Sequence, residues 1–308
     1  LLLGAAPSYL TILAAALVGI TGYWLIVGYI ESGLMRLCDP RATLDYSRAR
    51  GLGSAAFVAG SLGLGFAIDA FGPPSALATV VILCAILAAG AWLLAPEQVD
   101  RSAEPPIGAR LREGLGLVKH PAFFLLIFGA GFIQASHAFY NVFGGLVWLN
   151  QGIPGSWVGA LYSIGVAVEV AFLVLLGRWS ERYHASGLVL AGGLAAVVRW
   201  IILSQQPDLM WLIPLQALHG LSFAATYLGT MRLIQGWYGN DRAPTAQMMY
   251  QSFAAAPEAA LASLLAGPLY DSFGALGYLG MVGLAVVGVL LSLRLRKTPP
   301  PALPATTA

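Results

Sequence analysis

The stretch GLVLAGGLAAVVRWIIL, residues 187–203, decides the fold class of this chain. It is apolar except for Arg199, and it is long enough to enter a hydrocarbon core of about 30 Å as a helix. The other Lys and Arg residues lie in hydrophilic connections or at their edges. A cation at membrane depth costs roughly 3 kcal/mol even on a lenient scale, and it usually faces a protein interior or a wet cavity. The stretch therefore predicts a membrane-spanning helix whose Arg199 needs a partner.

The composition of the whole chain supports a membrane protein. Of its 308 residues, 58% are hydrophobic and 10% are charged, and the mean hydropathy is +0.77. Soluble domains carry about 25% charged residues. Cys38 and Cys84 lack the spacing of a metal or redox site, and no nucleic-acid or phosphate motif stands out. We therefore expect an all-α integral membrane protein with no cofactor, no metal and no nucleic-acid partner.

Apolar runs of membrane-crossing length recur along the chain. We predict nine spans, at about residues 8–36, 46–71, 75–95, 120–149, 155–177, 186–204, 208–235, 245–270 and 274–295. Residues 1–6 resemble the end of a hydrophobic helix and Leu1 is not a start methionine, so we expect a fragment that lacks its N-terminal portion. The proline-rich residues 298–308 predict a disordered tail.

Positive charge alternates along the predicted connections. Lys and Arg occur near residues 36–50, 101–119, 178–182, 232–242 and 294–297, whereas the connections between these contain none. Basic connections face the cytoplasm. We therefore predict a multi-pass protein of the cell inner membrane with a cytoplasmic C-terminus.

The longest connection divides the chain. Residues 96–119 are rich in Glu, Arg and Pro, so we predict a cytoplasmic linker between residues 1–95, the remainder of an N-terminal helix bundle, and residues 120–297, a C-terminal six-helix bundle. The segments GFAIDAFG (residues 65–72) and GPLYDSFG (residues 267–274) share Gly, Asp, Phe and Gly at identical spacing. They indicate either a parallel repeat of the kind seen in transporters or a common way of ending a helix.

Several ionisable residues lie within the predicted spans, namely Glu31, His137, Glu169, Arg199, His219 and Glu258. Such residues in membranes mark ion or proton pathways. Arg199 cannot be neutralised at ordinary pH, so it needs a carboxylate or an anionic ligand. Glu169 can bind and release a proton, and His219 titrates near physiological pH. The pattern favours a proton relay, and the alternative is a static ion pair.

Polar side chains also recur at helical spacing. One such stripe contains Gln134, His137, Asn141, Gly145 and Trp148; a second contains His219, Ser222, Thr226 and Thr230; a third contains Arg50, Ser54, Phe57 and Ser61. Small and hydroxyl residues also pack membrane helices together, which accounts for most Ser and Thr positions. His137 and Asn141 fit that explanation less well, and we expect them to line a cavity.

Glu258 follows Pro257, which removes a backbone hydrogen bond within a span and often marks a bend. Three roles stay open for this glutamate. It is a second titrating group, a ligand for a substrate amine or hydroxyl, or a partner of Arg199.

Three segments carry a resemblance to a known family. They are DYSRARGLGSAAF (residues 45–57), residues 137–170 with HAFY, WLNQG and GVAVEV, and VRW (residues 198–200) followed by Leu218 and His219. The chain resembles the phenylpropionate-permease-like branch of the major facilitator superfamily, which is related to the lactose permease group of proton symporters. The resemblance implies a major facilitator fold, with about nine of its twelve transmembrane helices in this chain.

The resemblance also implies site roles. Glu31 and Arg50 match substrate-binding positions, and Phe57 matches an aromatic residue that stacks on substrate. Glu169, Arg199 and His219 match the residues that couple transport to a proton. Asn141, Gly144 and Ser222 stand where lactose permease has acidic residues, which leaves the proton carrier open between Glu169 and Glu258.

Together these patterns predict a monomeric secondary active transporter, not an enzyme, that carries a small organic solute with protons across the bilayer. An aromatic or other carboxylate is the favoured substrate, because Arg50 and Arg199 could receive an anion while a proton compensates its charge. A sugar or nucleoside symporter is the first alternative. A drug/proton antiporter or a non-transporting receptor on the same fold is the second.

Overall fold

The computed structural model describes residues 46–93, 107–180 and 182–301. These residues form helices and contain no strand. The predicted span at residues 8–36, which includes Glu31, lies outside the described residues. The chain divides into two units, Leu1–Gln98 and Val99–Ala308.

The first unit shows two helices, α1 (Tyr46–Phe71) and α2 (Ser75–Leu93), which pack against each other. They coincide with the predicted spans at residues 46–71 and 75–95. The turn between them begins at Gly72, whose φ of +80° favours glycine. The Ser75 hydroxyl donates a hydrogen bond of 2.7 Å to the Gly72 carbonyl and so closes the turn.

The second unit contains nine α-helices among its described residues. They are α3 (Ile107–Val118), α4 (Pro121–Ala135), α5 (Ala138–Asn150), α6 (Gly155–Ser180), α7 (Ala185–Ser204), α8 (Leu209–His219), α9 (Thr226–Tyr250), α10 (Ala256–Phe273) and α11 (Tyr278–Leu295). Helix α9 is kinked at Gly239, whose φ of +62° and ψ of −170° are not helical. The predicted linker at residues 96–119 therefore contains a helix, α3. Within the predicted tail, residues 298–301 carry no regular structure, and residues 302–308 lie outside the described part.

Five stretches of the described residues are long and apolar enough to cross a membrane: Pro121–Asn150, Gly155–Phe172, Ala185–Ser204, Leu209–Gly239 and Arg242–Leu295. The last stretch contains α10 and α11, which are separated by a short 3₁₀ turn at Gly274–Gly277. The shorter apolar helices Ala55–Phe71 and Ser75–Gly90 belong to the first unit. The structure therefore has the helices of a multi-pass membrane protein.

Two π-helical turns interrupt these spans. Gly220–Ala225 joins α8 to α9, and Gln251–Ala255 joins α9 to α10. The second turn directly precedes Pro257, whose ring excludes an ordinary α-helical hydrogen bond to the preceding turn. The wider π-helical turn accommodates the proline. It lies where the sequence predicts a bend. Such turns are frequent at functional sites.

Both copies of the Gly-Asp-Phe-Gly pattern end a helix. Helix α1 ends at Phe71 and α10 ends at Phe273. The glycine that follows each helix has a positive φ, +80° at Gly72 and +55° at Gly274, which a side chain would disfavour. The pattern therefore has the same local role at both sites, and a common origin as a repeat stays a prediction.

Glycines bring the helices of the second unit close together. Helix α11 packs against α4 and α7, and α9 packs against α7. At Gly192 of α7 an added methyl group would press on the Thr226 side chain, 3.1 Å from its backbone nitrogen and 3.2 Å from the Leu221 carbonyl oxygen. Small residues at such crossings are the usual packing device of membrane helices, because lipid tails supply no hydrophobic drive between helices.

We expect the Gly192→Ala substitution to destabilise the second unit by about 1–3 kcal/mol, the usual cost of overpacking. The methyl group would meet backbone atoms of α9 and of the preceding π turn, which cannot move without separating the helices. Thermal unfolding in detergent measures the change. Gly187→Ala is the matched control, because it lies on the same helix and its new methyl group would meet nothing within 4 Å. Equal unfolding midpoints for the two variants would contradict the packing role.

Candidate functional site

The centre of the candidate site is Arg199 on α7. Its side chain is fully buried, and the guanidinium carbon lies 4.3 Å from the centroid of the Tyr140 ring and 4.7 Å from that of Trp200. Aromatic faces attract a guanidinium through the ring quadrupole, more strongly when both are out of water. The ring contacts therefore offset part of the cost of burying the cation.

Two hydrogen bonds hold the guanidinium of Arg199. Nη1 donates to Nδ1 of His219 over 3.0 Å, and Nη2 donates to Oε1 of Gln216 over 3.1 Å. The same Gln216 oxygen accepts a hydrogen bond of 3.1 Å from the Tyr140 hydroxyl. These partners are neutral, and the remaining donor, Nε, is buried without a hydrogen-bond partner among the described residues. The cation is thus positioned by neighbours that do not cancel its charge.

Gln216 and Tyr140 are contacts that sequence reasoning missed. Gln216 precedes His219 by three residues on α8, so the two side chains share a helix face. A buried amide at that spacing from a histidine was the available signal. Tyr140 lies on α5, whereas the arginine on which its ring stacks lies two helices later in the sequence. No pattern in the sequence around Tyr140 indicates this contact.

The bond from Arg199 determines the protonation of His219. A guanidinium can only donate, so Nδ1 of His219 accepts and the ring hydrogen of the neutral imidazole is on Nε2. Nε2 lies 3.9 Å from Oε2 of Glu169, beyond a direct hydrogen bond. His219 therefore lies between Arg199 and Glu169, with its hydrogen on the side of the carboxylate. The predicted trio is brought together, with Glu169 reaching Arg199 through the imidazole.

His137 forms a second buried imidazole in the same region. Nδ1 lies 3.1 Å from the Ile133 carbonyl and 3.2 Å from that of Gln134, so it carries the ring hydrogen. Nε2 then accepts from the Ser222 hydroxyl over 3.1 Å. The His137 and His219 rings meet edge to face, with centroids 5.6 Å apart.

The two residues predicted to line a cavity, His137 and Asn141, lie in different surroundings, and their cavity role stays a prediction. The helix is interrupted at residues 136–137, between α4 and α5. His137 is 1% exposed with both ring nitrogens bound inside the protein, whereas Asn141 is exposed. The interruption is stabilised by Ser136, whose hydroxyl donates to the Ile133 carbonyl and accepts from the Trp200 indole over 2.9 Å.

The hydroxyl stripe that runs from the first π-helical turn into α9 is buried between helices. Ser222, Thr226 and Thr230 are fully buried. The Thr226 and Thr230 hydroxyls donate to the carbonyls of Ser222 and Thr226, four residues earlier, over 2.8 and 2.7 Å. Such bonds satisfy a hydroxyl within its own helix. The stripe of His219, Ser222, Thr226 and Thr230 therefore contains one titratable side chain near neutral pH, that of His219.

Aromatic rings surround the Arg199 cluster. Tyr140 lies 5.1 Å from Tyr162 and 5.8 Å from Trp148 between ring centroids, and Trp200 stacks on Tyr278 at 5.8 Å with an interplanar angle of 10°. The Tyr162 hydroxyl donates to the Tyr140 carbonyl, while that of Tyr278 is buried without a hydrogen-bond partner among the described residues. The cluster thus combines rings with unpaired donors, a setting in which an acceptor group is favourable.

Glu258 lies apart from this hydrogen-bonded cluster. It sits in the first turn of α10 and is 8% exposed, and neither carboxylate oxygen has a hydrogen-bond partner among the described residues. The carboxylate lies against Gly131 of α4, where an added side chain would collide with it. The pairing of Glu258 with Arg199 that the sequence left open is therefore not formed, because α10 directs Glu258 toward α4.

The predicted substrate contacts of the first unit are Glu31, Arg50 and Phe57. Glu31 lies outside the described residues. Arg50 is in α1, and the position of its side chain is not described. Phe57 is on the same helix and is 47% exposed. Among the described residues no group of His, Cys, Asp and Glu could hold a metal ion.

The chain has apolar spanning helices around a buried cation, an imidazole and a carboxylate. These features define the class of multi-pass membrane proteins with ionisable residues in their interior, as transporters have. The MFS_1 like family model matches residues 13–278, and the chain belongs to this family. It is 28% identical over 275 residues to the probable 3-phenylpropionic acid transporter of Escherichia coli (strain K12), covering 87% of this chain and 70% of that protein.

Family membership confirms several predictions. The chain has the all-α major facilitator fold, and it is a non-enzymatic transporter of the phenylpropionate-permease-like kind. A transporter of this family acts on a small molecule and lies in a membrane as a multi-pass protein. The individual site residues stay predictions.

Proposed function

We propose that this chain is a proton-coupled symporter of a small organic carboxylate, with an aromatic acid as the favoured substrate, working by alternating access. The observation that carries the proposal is the contact series from Glu169 through His219 to Arg199. It joins a group that can bind a proton to a permanent cation inside the helix bundle. The proposal includes a monomeric protein in the cell inner membrane. Its C-terminus is cytoplasmic in this proposal, because the basic connections alternate with uncharged ones.

The surroundings of Arg199 support an anionic substrate. The guanidinium has neutral hydrogen-bond partners, and two buried donors, Arg199 Nε and Gln216 Nε2, have no hydrogen-bond partner among the described residues. A carboxylate would satisfy such donors and balance the charge. The rings of Tyr140, Trp200 and Tyr278 add apolar faces that suit an aromatic acid. The named relative is a probable transporter of 3-phenylpropionic acid, a compound with both features.

The proton step follows from the state of His219. Its Nδ1 accepts from Arg199, so it cannot bind a second proton until that hydrogen bond breaks. A substrate carboxylate that draws the guanidinium away would free Nδ1, and His219 could then take a proton while its Nε2–H faces Glu169. In this scheme Glu169 carries the transported proton. Arg199 controls when Nδ1 of His219 is free to bind a proton.

The remaining residues have supporting roles in the proposal. Glu31, Arg50 and Phe57 bind substrate from the first unit, as their family positions imply. Asn141, which is exposed, also contacts substrate, and His137 holds the interrupted helix through Ser222. Glu258 is the second candidate for the proton carrier, because it is a buried carboxyl group without a hydrogen-bond partner among the described residues.

The test is transport by the purified chain in proteoliposomes with an imposed inward proton gradient. We expect labelled 3-phenylpropionate to accumulate above the level that protein-free liposomes reach under the same gradient, because the neutral acid also crosses lipid unaided. This protein-dependent accumulation should collapse when a protonophore removes the gradient. The matched control substrate is 3-phenylpropanol, which keeps the ring and lacks the carboxylate. It should not compete with the acid.

Other outcomes correspond to other functions. Gradient-driven uptake of a sugar or nucleoside instead of the acid would show that the substrate belongs to that class. Efflux driven by the same gradient would indicate drug/proton antiport, and binding without movement of any solute would indicate a receptor. Each of these results would refute proton–carboxylate symport.

A further inference from the structure

An open pocket of about 700 Å³ lies in the second unit, away from the Arg199 cluster. It is formed where the connection from α3 to α4 meets the last turn of α11. Three cationic side chains line it, namely Lys119, Arg294 and Lys297, and no acidic side chain among the described residues does. Neither the sequence motifs nor the transport site involves this pocket.

The pocket has two chemically different parts. Its cationic residues are exposed and can reach a ligand from two sides, because Lys119 precedes α4 whereas Arg294 lies in the last turn of α11 and Lys297 follows that helix. Its other wall is apolar, with Val118, Phe124 and Leu125 among the lining residues. Phe124 is 45% exposed. A ligand that fits must therefore carry negative charge at one end and hydrocarbon beside it.

The pocket also lies at the depth where the apolar helices stop. The first apolar stretch of this unit begins at Pro121 and the last ends at Leu295. Lys119 and Lys297 lie just beyond these limits, and Arg294 lies one residue inside the second. The N-terminus of α4 points its positive dipole end toward the same region. This position corresponds to the headgroup level of a bilayer, and its basic connections place it on the predicted cytoplasmic side.

We propose that this pocket binds an anionic phospholipid, with the headgroup phosphate between Lys119, Arg294 and Lys297 and an acyl chain along Phe124 and Leu125. Basic pockets between membrane helices on the cytoplasmic side bind such headgroups. A free phosphate would bind the three cations but make no contact with the apolar wall. A zwitterionic lipid would contact the apolar wall but leave the positive charge of the three cations unbalanced.

The experiment measures lipid binding to the purified full chain in detergent, as the rise in thermal unfolding midpoint on titration with dioleoyl phosphatidylglycerol. The test variant combines Lys119→Gln, Arg294→Gln and Lys297→Gln. We expect about fivefold weaker apparent affinity for each cation removed, and so a loss of about a hundredfold for the triple variant. A variant that exchanges Lys and Arg at the three positions keeps the charges and should bind as the parent does.

The matched control removes three exposed cations outside the pocket by Arg112→Gln, Arg182→Gln and Arg296→Gln. It changes the net charge equally and is expected to lose no more than about twofold in affinity. An equal loss in both triple variants would overturn the proposal, since general attraction would then explain the binding. Equal affinity for dioleoyl phosphatidylcholine would overturn it as well. So would displacement of the lipid by millimolar inorganic phosphate, which would identify a free anion as the occupant. If the triple variant does not fold, the single variants carry the same test at fivefold each.

Discussion

Replacing Arg199 by glutamine is expected to abolish transport while leaving the protein folded. The buried guanidinium is held by His219 and Gln216 and lies over the Tyr140 ring, so no other described side chain supplies a cation to this cluster. Removing one partner of a buried, hydrogen-bonded charge pair costs about 3–5 kcal/mol of binding free energy. If Arg199 binds the substrate carboxylate, its loss should therefore reduce the initial rate of uptake by at least about a hundredfold. Uptake of labelled 3-phenylpropionate into proteoliposomes measures the effect.

The stability of the same variant separates function from folding. A buried cation with neutral partners carries a large desolvation cost, whereas its removal leaves the acceptors on His219 and Gln216 without their donor. These effects oppose each other, so we expect the unfolding midpoint to stay the same or to rise. Arg199→Lys tests geometry: an ammonium keeps the charge but lacks the planar fork that reaches both partners, and transport should stay low.

A matched control uses another arginine of the same unit. Arg296→Gln removes an exposed cation that follows α11, and it should transport at the parental rate. Retained uptake in Arg199→Gln would show that Arg199 has only a structural role. A strong fall in the unfolding midpoint of this variant would lead to the same conclusion.

The second large effect is expected for Glu169→Gln. This substitution keeps the shape of the side chain next to His219 Nε2 and removes its ability to carry a proton. The variant should fail to accumulate substrate above the external concentration, because nothing then couples substrate movement to the proton gradient. It should still exchange labelled for unlabelled substrate, since exchange needs no net proton movement. Parallel measurements of gradient-driven uptake and counterflow distinguish the two activities.

Glu258→Gln is the comparison that identifies the proton carrier. Glu258 lies against Gly131, outside the contact series that contains Arg199, so its removal should not reproduce the separation of accumulation from exchange. If Glu258→Gln shows that separation and Glu169→Gln accumulates substrate normally, the carrier is Glu258. In that case the series from Glu169 to Arg199 is a static structural pair.

Much of the fold could be predicted from the sequence because membrane spans have a local signature. The predicted spans at residues 46–71 and 186–204 match α1 and α7 within a residue at each end. The interruption at residues 136–137 was not predicted, because His137 and Asn141 keep helical spacing in sequence. It depends on hydrogen bonds from Ser136 to Ile133 and from Trp200 to Ser136, and the second crosses between helices.

The site was predictable in its titratable residues and not in its neutral ones. Charge within an apolar run identified Arg199 and Glu169, because each is costly there and so informative. Gln216 carries no charge and resembles any polar residue near a helix end, although it bonds both Arg199 and Tyr140. Glu258 was predicted to lie within a span, but its neighbour Gly131 is distant in sequence and could not be predicted.

The sequence by itself determined that this chain is a multi-pass helical membrane protein and that Arg199 is its anomalous residue, since burial in lipid depends on the local run of side chains. Only the tertiary structure decided that Arg199 meets His219 and Gln216, and that Glu169 is reached through the imidazole. The physical reason is that helical periodicity sets the face on which a side chain lies, whereas its partners depend on which helices pack together. Close glycine contacts such as Gly192 with Thr226 bring the relevant helices together in this protein.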